Sequence, residues 1–443
     1  MAIGDKLTLS VERMAYGADA VARDEGGRTV FVRGGVPGDV VAAVVESEAE
    51  RYANARVEKV LEPSGDRVAP ACPYADVCGG CPWSALSYEA QARAKRTGVV
   101  DALARIGHFG PERAEELVRP LVNPSEPWGY RNKVELAAVQ RGGRLMLGMH
   151  AAGGEGVVKV DRCALLSKKR AKDVKAIAGA LGYFANSRGL DIERVGIRAS
   201  ESTGEAEVAL WGRPGPFPRA QAAKIVGDAV KASSVVRVMQ KGPAKARKIA
   251  GVEVLAGKGS WGERIGGERM RVSAPSFFQV NTKGAEKLVE LVMEGLDPKA
   301  DEEAMDLYCG AGTFTLPLAR RAGFVSAVES YGPAVRDLRR NLDDARLDKV
   351  DPIGGDAGRE FPDTDADVIV VDPPRAGLAA DVVEQLSDQP ARAIAYVSCD
   401  PATLARDLAR FEEAGAFRVE SVTPVDLFPQ TFHVENVTIL RRR

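Results

Sequence analysis

The stretch YVSCDPATLARDL, Tyr396–Leu408, puts a cysteine where its thiolate could work. Cys399 ends an apolar, strand-like run, and DPATL after it reads as a helix start with Pro401 at an early helical position. A helix N-terminus favours negative charge, so the thiol is expected to have a lowered pKa and an enlarged thiolate fraction. Near the end of the chain, FPQTFHVENVTIL places His433 and Glu435 two residues apart on an expected strand, so both side chains should face one way. A nucleophilic thiolate and a carboxylate base suit a reaction in which a covalent adduct forms, loses a proton and is then released.

A second set of cysteines has a different character. Cys72, Cys78 and Cys81 follow C-x5-C-x2-C within VAPACPYADVCGGCPW, and Cys163 in VDRCALLS is a distant fourth. Four thiolates suit zinc or a [4Fe–4S] cluster, and the spacing alone leaves both open. A zinc ribbon would usually show a second close pair, and here only a lone Cys163 is available.

These groups need a scaffold. The chain has 443 residues, 45% hydrophobic and 28% charged, which suits a globular protein of about three domains. The start, MAIGDKLTLS, shows no basic segment followed by an apolar core, and no apolar run approaches the ~20 residues of a membrane span. A cytoplasmic protein is expected. A net charge of −1 argues against a uniformly basic coat but leaves room for local clusters such as SKKRAKDVK (167–175) and QKGPAKARK (240–248).

Residues 1–62 read as short alternating strands with turns at DEGGR and GGVPGD, the signature of a small OB-like β-barrel. Residues 63–270 carry the cysteine-rich segment and a helix at about 85–107 that could pack on the catalytic domain. Beyond these come strands (RNKVELAAV, RLMLGMH, ERVGIRAS, AEVALWG, SVVRVMQ) around one clear helix, KKRAKDVKAIAGALGYFANSR. This predicts a central α+β domain with an antiparallel sheet. Residues 271–443 alternate buried strand-like runs with helices and finish in two strands with no helix between them. That pattern predicts a Rossmann-like α/β domain, a doubly wound parallel sheet closed by a hairpin.

In this last domain DLYCGAGTFTLPLARRAG ends a strand at Asp306–Leu307, turns at Gly310 and Gly312, and starts a helix around Thr313. Glycines there let backbone approach a ligand near a helix N-terminus. Glu329, at the end of the next strand, holds the position where an acidic residue commonly binds ribose hydroxyls. Asp356 and Asp372 end the third and fourth strands, so the carboxylates converge on one crevice that should take a nucleoside-type cofactor. A nicotinamide cofactor is disfavoured by the missing third glycine and by DPPR, Asp372–Arg375.

Carbon-5 of uracil is too weak a nucleophile to attack a methyl sulfonium unaided. A thiolate adding to carbon-6 moves charge density onto carbon-5, and a base must then remove the carbon-5 proton. SFFQVN (276–281), DLYCGAGTF, DPPRAG, YVSCDPATLARDL and PQTFHVENV, in this order, strongly resemble the RNA uracil-5-methyltransferase family, within the class I S-adenosylmethionine-dependent methyltransferases. The resemblance implies that Cys399 is the nucleophile and Glu435 the base. It also implies that Gln279, Tyr308, Glu329, Asp356 and Asp372 contact cofactor or target base, beside Gly310, Gly312 and Thr313. Asp372 would accept from uracil N3–H and so reject cytosine.

Family members with the same cysteine spacing hold an iron–sulfur cluster and often carry an N-terminal TRAM domain. The resemblance therefore favours [4Fe–4S] over zinc and an RNA-binding barrel at 1–62. WGYRNKVEL, Trp128–Leu136, looks like the start of the family's central domain, with Arg131 and Lys133, and also His433, as RNA contacts. The expected substrate is a uridine in structured RNA, 23S rRNA before tRNA, modified by a monomeric enzyme. Two rivals are a non-catalytic RNA-binding protein, disfavoured because Cys399, Asp372 and Glu435 are all present, and an amino-directed methyltransferase using DPPR, which would not need the thiolate.

Overall fold

The structure, a computed structural model, describes residues 2–154, 156–243 and 247–443. Its N-terminal strands β1 (Lys6–Met14), β2 (Ala20–Arg23), β3 (Thr29–Arg33), β4 (Val40–Glu48) and β5 (Tyr52–Glu62) close into a barrel in the order β1-β2-β3-β5-β4. Alternation sends Leu9, Val11, Val30, Val32, Val41 and Ala55 inward as its core. Closure leaves no long unpaired strand edge.

After the cysteine-rich segment, α1 (Tyr88–Arg105) starts at Ser87, whose side chain accepts from the Ala90 N–H, and α2 (Pro111–Leu117) follows. Both helices bury apolar residues, among them Val99, Leu103 and Leu117, in a core shared with the C-terminal sheet.

The central sheet contains β6 (Lys133–Arg141), β7 (Arg144–His150), β8 (Val157–Val158), β9 (Arg194–Ala199), β10 (Ala206–Gly212), β11 (Ser234–Lys241) and β12 (Lys248–Gly257), in the order β12-β11-β10-β9-β6-β7-β8. α3 (Asp173–Arg188) and α4 (Arg219–Val230) bury Ile177, Leu181 and Val226 against it. Two expectations need correction. The sheet is not wholly antiparallel, because β10 and β11 run parallel. Parallel neighbours need a crossover, and α4, unanticipated in the sequence, supplies it. The basic stretch 240–248 includes residues 244–246, which lie outside the described residues.

The C-terminal unit begins with the hairpin β13 (Trp261–Ile265) and β14 (Glu268–Val272). There follow α5 (Thr282–Leu296), β15 (Glu303–Leu307), α6 (Thr315–Arg321), β16 (Phe324–Glu329), α7 (Gly332–Ala345), β17 (Val350–Gly354), β18 (Val368–Val371), α8 (Ala380–Asp388), β19 (Ala393–Ser398), α9 (Pro401–Ala414), β20 (Phe417–Val425) and β21 (Glu435–Arg442). Strand order is β17-β16-β15-β18-β19-β21-β20, with β15 to β19 parallel and β21 antiparallel to both its neighbours. The hairpin, which begins at residue 261 and so before the expected boundary at 271, buries Trp261, Ile265, Met270 and Val272 in the core of this sheet. The strand order reverses between β15 and β18, which places the ligand crevice at their carboxyl ends. No helix among the described residues is long and apolar enough to cross a membrane.

Candidate active site at the strand ends

The turn after β15 is shaped by backbone that most residues avoid. Tyr308, Gly310 and Gly312 all have positive φ, 64°, 58° and 100°. A Cβ on Gly312 would also lie 2.5 Å from Leu316 Cδ1 and 2.8 Å from Leu338 Cδ1, so the helix α6 packs tightly against it. Gly310 has open space on that side. Its N–H donates to Glu329 Oε2 at 3.0 Å, and Tyr331 N–H donates to Glu329 Oε1 at 2.6 Å. Both carboxylate oxygens are thereby oriented at the crevice. The helix starts at Thr315, two residues later than expected, which leaves Thr313 in the turn.

Asp306, the penultimate residue of β15, is fully buried; burial, followed by the charges of Asp372 and Glu329, pushes its carboxyl up to about 8 against the Thr315 hydrogen bond. Gln279 is buried beside Asn132, which donates to its backbone carbonyl at 3.0 Å, and its side-chain Oε1 has no partner. An orphaned buried acceptor is costly unless a ligand donates to it. Asp356 stands two residues beyond β17 and accepts from Gly358 N–H at 3.1 Å.

Cys399 follows β19 directly. β19 pairs with β21 so that Ser398 faces Asn436, whose Nδ2 donates to Ser398 O at 3.2 Å. The next residues outward, Cys399 and Glu435, therefore stand beside one another, with Asp372 at the end of the neighbouring β18. Their charges are coupled. Burial, then the charge of Glu435, pushes the Cys399 thiol up to about 11, with Arg375 opposing. Burial and then Asp372 hold the Glu435 carboxyl well above the usual carboxylate range, again opposed by Arg375. Burial and Glu329 push Asp372 up to about 7.

This corrects the expectation of a thiol pKa lowered by the helix end. Asp400, and not Cys399, caps α9, its Oδ1 accepting from Ala402 and Thr403 N–H, both at 3.0 Å. The donors that would have stabilised a thiolate are already satisfied.

His433 also departs from expectation. β21 starts at Glu435, so His433 lies in the preceding loop, where strand alternation does not apply. Burial and nearby Arg375 push its imidazole down to about 4, and its ring stacks at 4.1 Å, tilted 39°, on Phe432. The loop is clamped from distant parts of the chain. Lys95 of α1 makes a fully buried 2.6 Å ion pair with Asp426 and donates to Phe428 O at 3.1 Å. Gln91 Nε2 donates to Gln430 Oε1 and Gln430 N–H donates back to Gln91 Oε1, at 3.1 and 2.8 Å, while Trp83 N–H donates to Gln430 O at 3.1 Å. Gln430 itself sits at φ 72°.

Trp83 lies two residues beyond Cys81, so the cysteine-rich segment touches the same loop. Gly79 N–H donates to His150 O at 2.9 Å, and a Cβ there would press within 2.9 Å of Ala151 O. Burial raises the Cys78, Cys81 and Cys163 thiols, Cys81 to about 12, and each feels the charge of Cys72. Among the described residues no three Cys, His, Asp or Glu side chains are gathered tightly enough for a single metal ion. Arg131 sits between the two regions, since its charge acts on Cys81, Cys163 and His433, and its buried Nε has no partner. Lys133 is instead committed to Glu135 at 2.9 Å. Nothing in the sequence pairs Lys95 with Asp426, 331 residues away.

Comparison with known proteins adds a further layer. Residues 264–363 and 356–443 match the family model described as tRNA (Uracil-5-)-methyltransferase, and residues 2–57 match the TRAM domain. An uncharacterized RNA methyltransferase of Thermosynechococcus vestitus is 33% identical over 99% of this chain and 98% of its own. One from Streptomyces coelicolor is 36% identical over 99% of this chain and 93% of its own. Among solved structures, the Pyrococcus abyssi tRNA (uracil-54, C5)-methyltransferase in complex with S-adenosyl-L-homocysteine superposes with a TM-score of 0.76 at 25% identity, over 98% of this chain and 99% of its own.

Proposed function

The chain belongs to the RNA uracil-5-methyltransferase family, and on that premise we propose that it methylates carbon-5 of a uridine in structured RNA through a covalent bond between Cys399 and carbon-6 of the base. The observation that carries this reading is the Ser398–Asn436 pairing, which sets a thiol and a buried carboxyl side by side at the crevice.

Cys399 first gives up its thiol proton to solvent water, and the guanidinium of Arg375 stabilises the thiolate that remains. The thiolate adds to carbon-6, and the electron pair of the C5–C6 double bond moves toward carbon-5. S-adenosylmethionine, when bound, supplies the methyl group to that carbon and leaves as S-adenosylhomocysteine. Glu435, in its carboxylate form, takes the carbon-5 proton; the double bond re-forms as the Cys399–C6 bond breaks, and the thiolate is restored. A carboxyl that burial makes reluctant to ionise is a stronger base once it has done so. Asp372 accepts from uracil N3–H; cytosine, with an acceptor at N3, cannot satisfy it.

The residues present fit the cofactor: the orphaned Oε1 of Gln279 suits an ammonium donor and Glu329 suits ribose hydroxyls, with Tyr308, Gly310, Gly312, Thr313, Asp356 and Asp372 lining the rest. Cys72, Cys78, Cys81 and Cys163, four thiols that feel one another's charge, suit the larger [4Fe–4S] cluster better than zinc, since no three of them are gathered tightly enough for a single ion among the described residues. Its role would be structural, tying segment 72–81 to the central domain. In this division residues 1–62 engage RNA, 63–270 hold the cluster, and 271–443 carry the chemistry, with Arg131 and His433 on the RNA side and Lys133 restrained by Glu135.

The preferred substrate in this reading is 23S rRNA. A second reading, tRNA, is favoured by the Pyrococcus tRNA enzyme, whose structure matches this chain over 98% of its length, so the barrel does not separate the two RNA classes. Cluster-loaded protein incubated with undermethylated total RNA and S-adenosylmethionine should produce 5-methyluridine, read by nucleoside mass spectrometry of separated 23S rRNA and tRNA. Product in tRNA alone would select the second reading. Amino-methylated bases that still form with Cys399→Ala protein would overturn both.

A further inference from the structure

The N-terminal barrel reaches into the candidate active site. The β1–β2 loop, residues 15–19, is held by the Trp83 indole N–H donating to Gly17 O at 3.0 Å. It carries Tyr16, whose hydroxyl donates to Cys399 O at 3.5 Å, a long contact that still fixes which residue the ring leans on. The ring meets Phe432 edge-on, with centroids 5.9 Å apart at 83°. Phe432 stacks on His433 at 4.1 Å, and His433 meets Phe428 edge-on at 5.7 Å. A row of four rings thus runs from the barrel into the loop before β21, and its third member, His433, lies two residues short of Glu435.

Tyr16 keeps 42% of its surface exposed, at the catalytic end of a cavity of about 600 Å³ between barrel and α1. The lining of that cavity is mixed in charge, with Arg13 and Arg105 beside Glu12 and Asp101. A large ring left half in solvent beside a reactive thiol is not explained by packing the barrel in place, since Trp83 already pins the loop. Enzymes that act on a base extrude it from its stack, and its neighbours lose their stacking partner in the process. Unstacked bases of single-stranded RNA are held on aromatic rings backed by basic groups.

We propose that Tyr16, at the head of the Phe432–His433 row, is a binding site for the base next to the target uridine, so that the barrel holds RNA inside the active site as well as outside it. The proposal rests on the RNA-methyltransferase reading above. Stacking on one ring changes affinity by roughly 5- to 150-fold. The test compares Tyr16→Phe, which keeps the ring and loses the hydroxyl, with Tyr16→Leu, which keeps apolar bulk against Phe432 and loses the π-face. With undermethylated total RNA, Tyr16→Leu should raise KM at least fivefold with kcat changed less than threefold, and Tyr16→Phe should resemble the parent in both.

An oligoribonucleotide with 5-fluorouridine at its centre and 2-aminopurine beside it, placed first 5′ and then 3′, reads the stacking directly. The parent and Tyr16→Phe should quench the aminopurine from one side, and Tyr16→Leu should not. Equal quenching and equal KM in Tyr16→Leu, with methyl transfer intact, would overturn this inference alone. A fall in kcat at unchanged KM would also overturn it, assigning Tyr16 to support of the Cys399 turn. If the parent protein methylates no RNA and forms no adduct, the failure is of the underlying reading, and this inference falls with it.

Discussion

Two strand-to-helix turns border the crevice, and they treat their helix ends in opposite ways. After β15, Gly310 and Gly312 carry positive φ and α6 has no side-chain cap, so backbone faces the crevice and Glu329 is the side chain that accepts from Gly310 N–H. After β19, Asp400 caps α9 and consumes the donors beside Cys399. The first turn is open for a ligand; the second is closed around a thiol. A cysteine at a helix N-terminus is therefore not activated by that fact alone. Here its ionisation depends on Arg375 against burial and Glu435.

The sharpest break between the turns is in their cysteines. Cys399→Ala should abolish methyl transfer to RNA, a loss of at least ~10⁴-fold in a single-turnover assay. Cys309→Ala, in the other turn but sealed in the core, should leave the rate within a few-fold and cost about 1 kcal/mol of stability on thermal denaturation. Next in size is Glu435→Gln, expected to slow turnover about 10²- to 10⁴-fold. Because the block falls after methyl transfer, this variant should accumulate a protein–RNA adduct on ordinary uridine-containing RNA, visible on a denaturing gel.

Arg375→Met tests the closed turn. With the thiol at about 11, adduct formation should climb with pH through the neutral and alkaline range, reach half its maximum near 11 and level off only above it, since the thiolate fraction is one half at that pH. Removing Arg375 takes away a group that lowers this pKa, so the profile should move to higher pH and the rate at neutral pH should drop about tenfold. An unshifted profile would show that Arg375 does not support the thiolate.

The smallest effect concerns the open turn. Asp306 titrates at about 8 in the folded chain against 3.8 in the unfolded one, so its contribution to stability is fully present below pH 3.8 and is lost as pH rises through 8. The cofactor-free protein should melt several degrees lower at pH 8.5 than at pH 5, and Asp306→Asn should shrink that difference, the remainder coming from Asp372 and Glu435. A difference unchanged in Asp306→Asn would remove Asp306 from the account.

The sequence carried the barrel and the doubly wound sheet because their alternation and buried runs are local patterns, as in VIVV of β18. It hid α4 because RAQAAKIVGDAV follows a Gly/Pro-rich stretch and its buried positions Ala222, Val226 and Val230 are few. The placement of Cys399, Asp372 and Glu435 at the strand ends follows from their local runs, while their electrostatics do not. The pKa of Cys399 turns on Asp400 taking the helix cap and on Glu435 arriving from another strand. Likewise, the Lys95–Asp426 pair and the contact of Tyr16 with Cys399, 383 residues apart, exist only once the domains are assembled.

The central claim is that Cys399 bonds to the target base. RNA containing 5-fluorouridine, incubated with the protein and S-adenosylmethionine, offers a carbon-5 substituent that Glu435 cannot remove as a proton. The account predicts a denaturation-resistant complex whose mass spectrum maps to Cys399 and which Cys399→Ala protein does not form. Methyl transfer to normal RNA with no such complex, or a complex that survives Cys399→Ala, would contradict it.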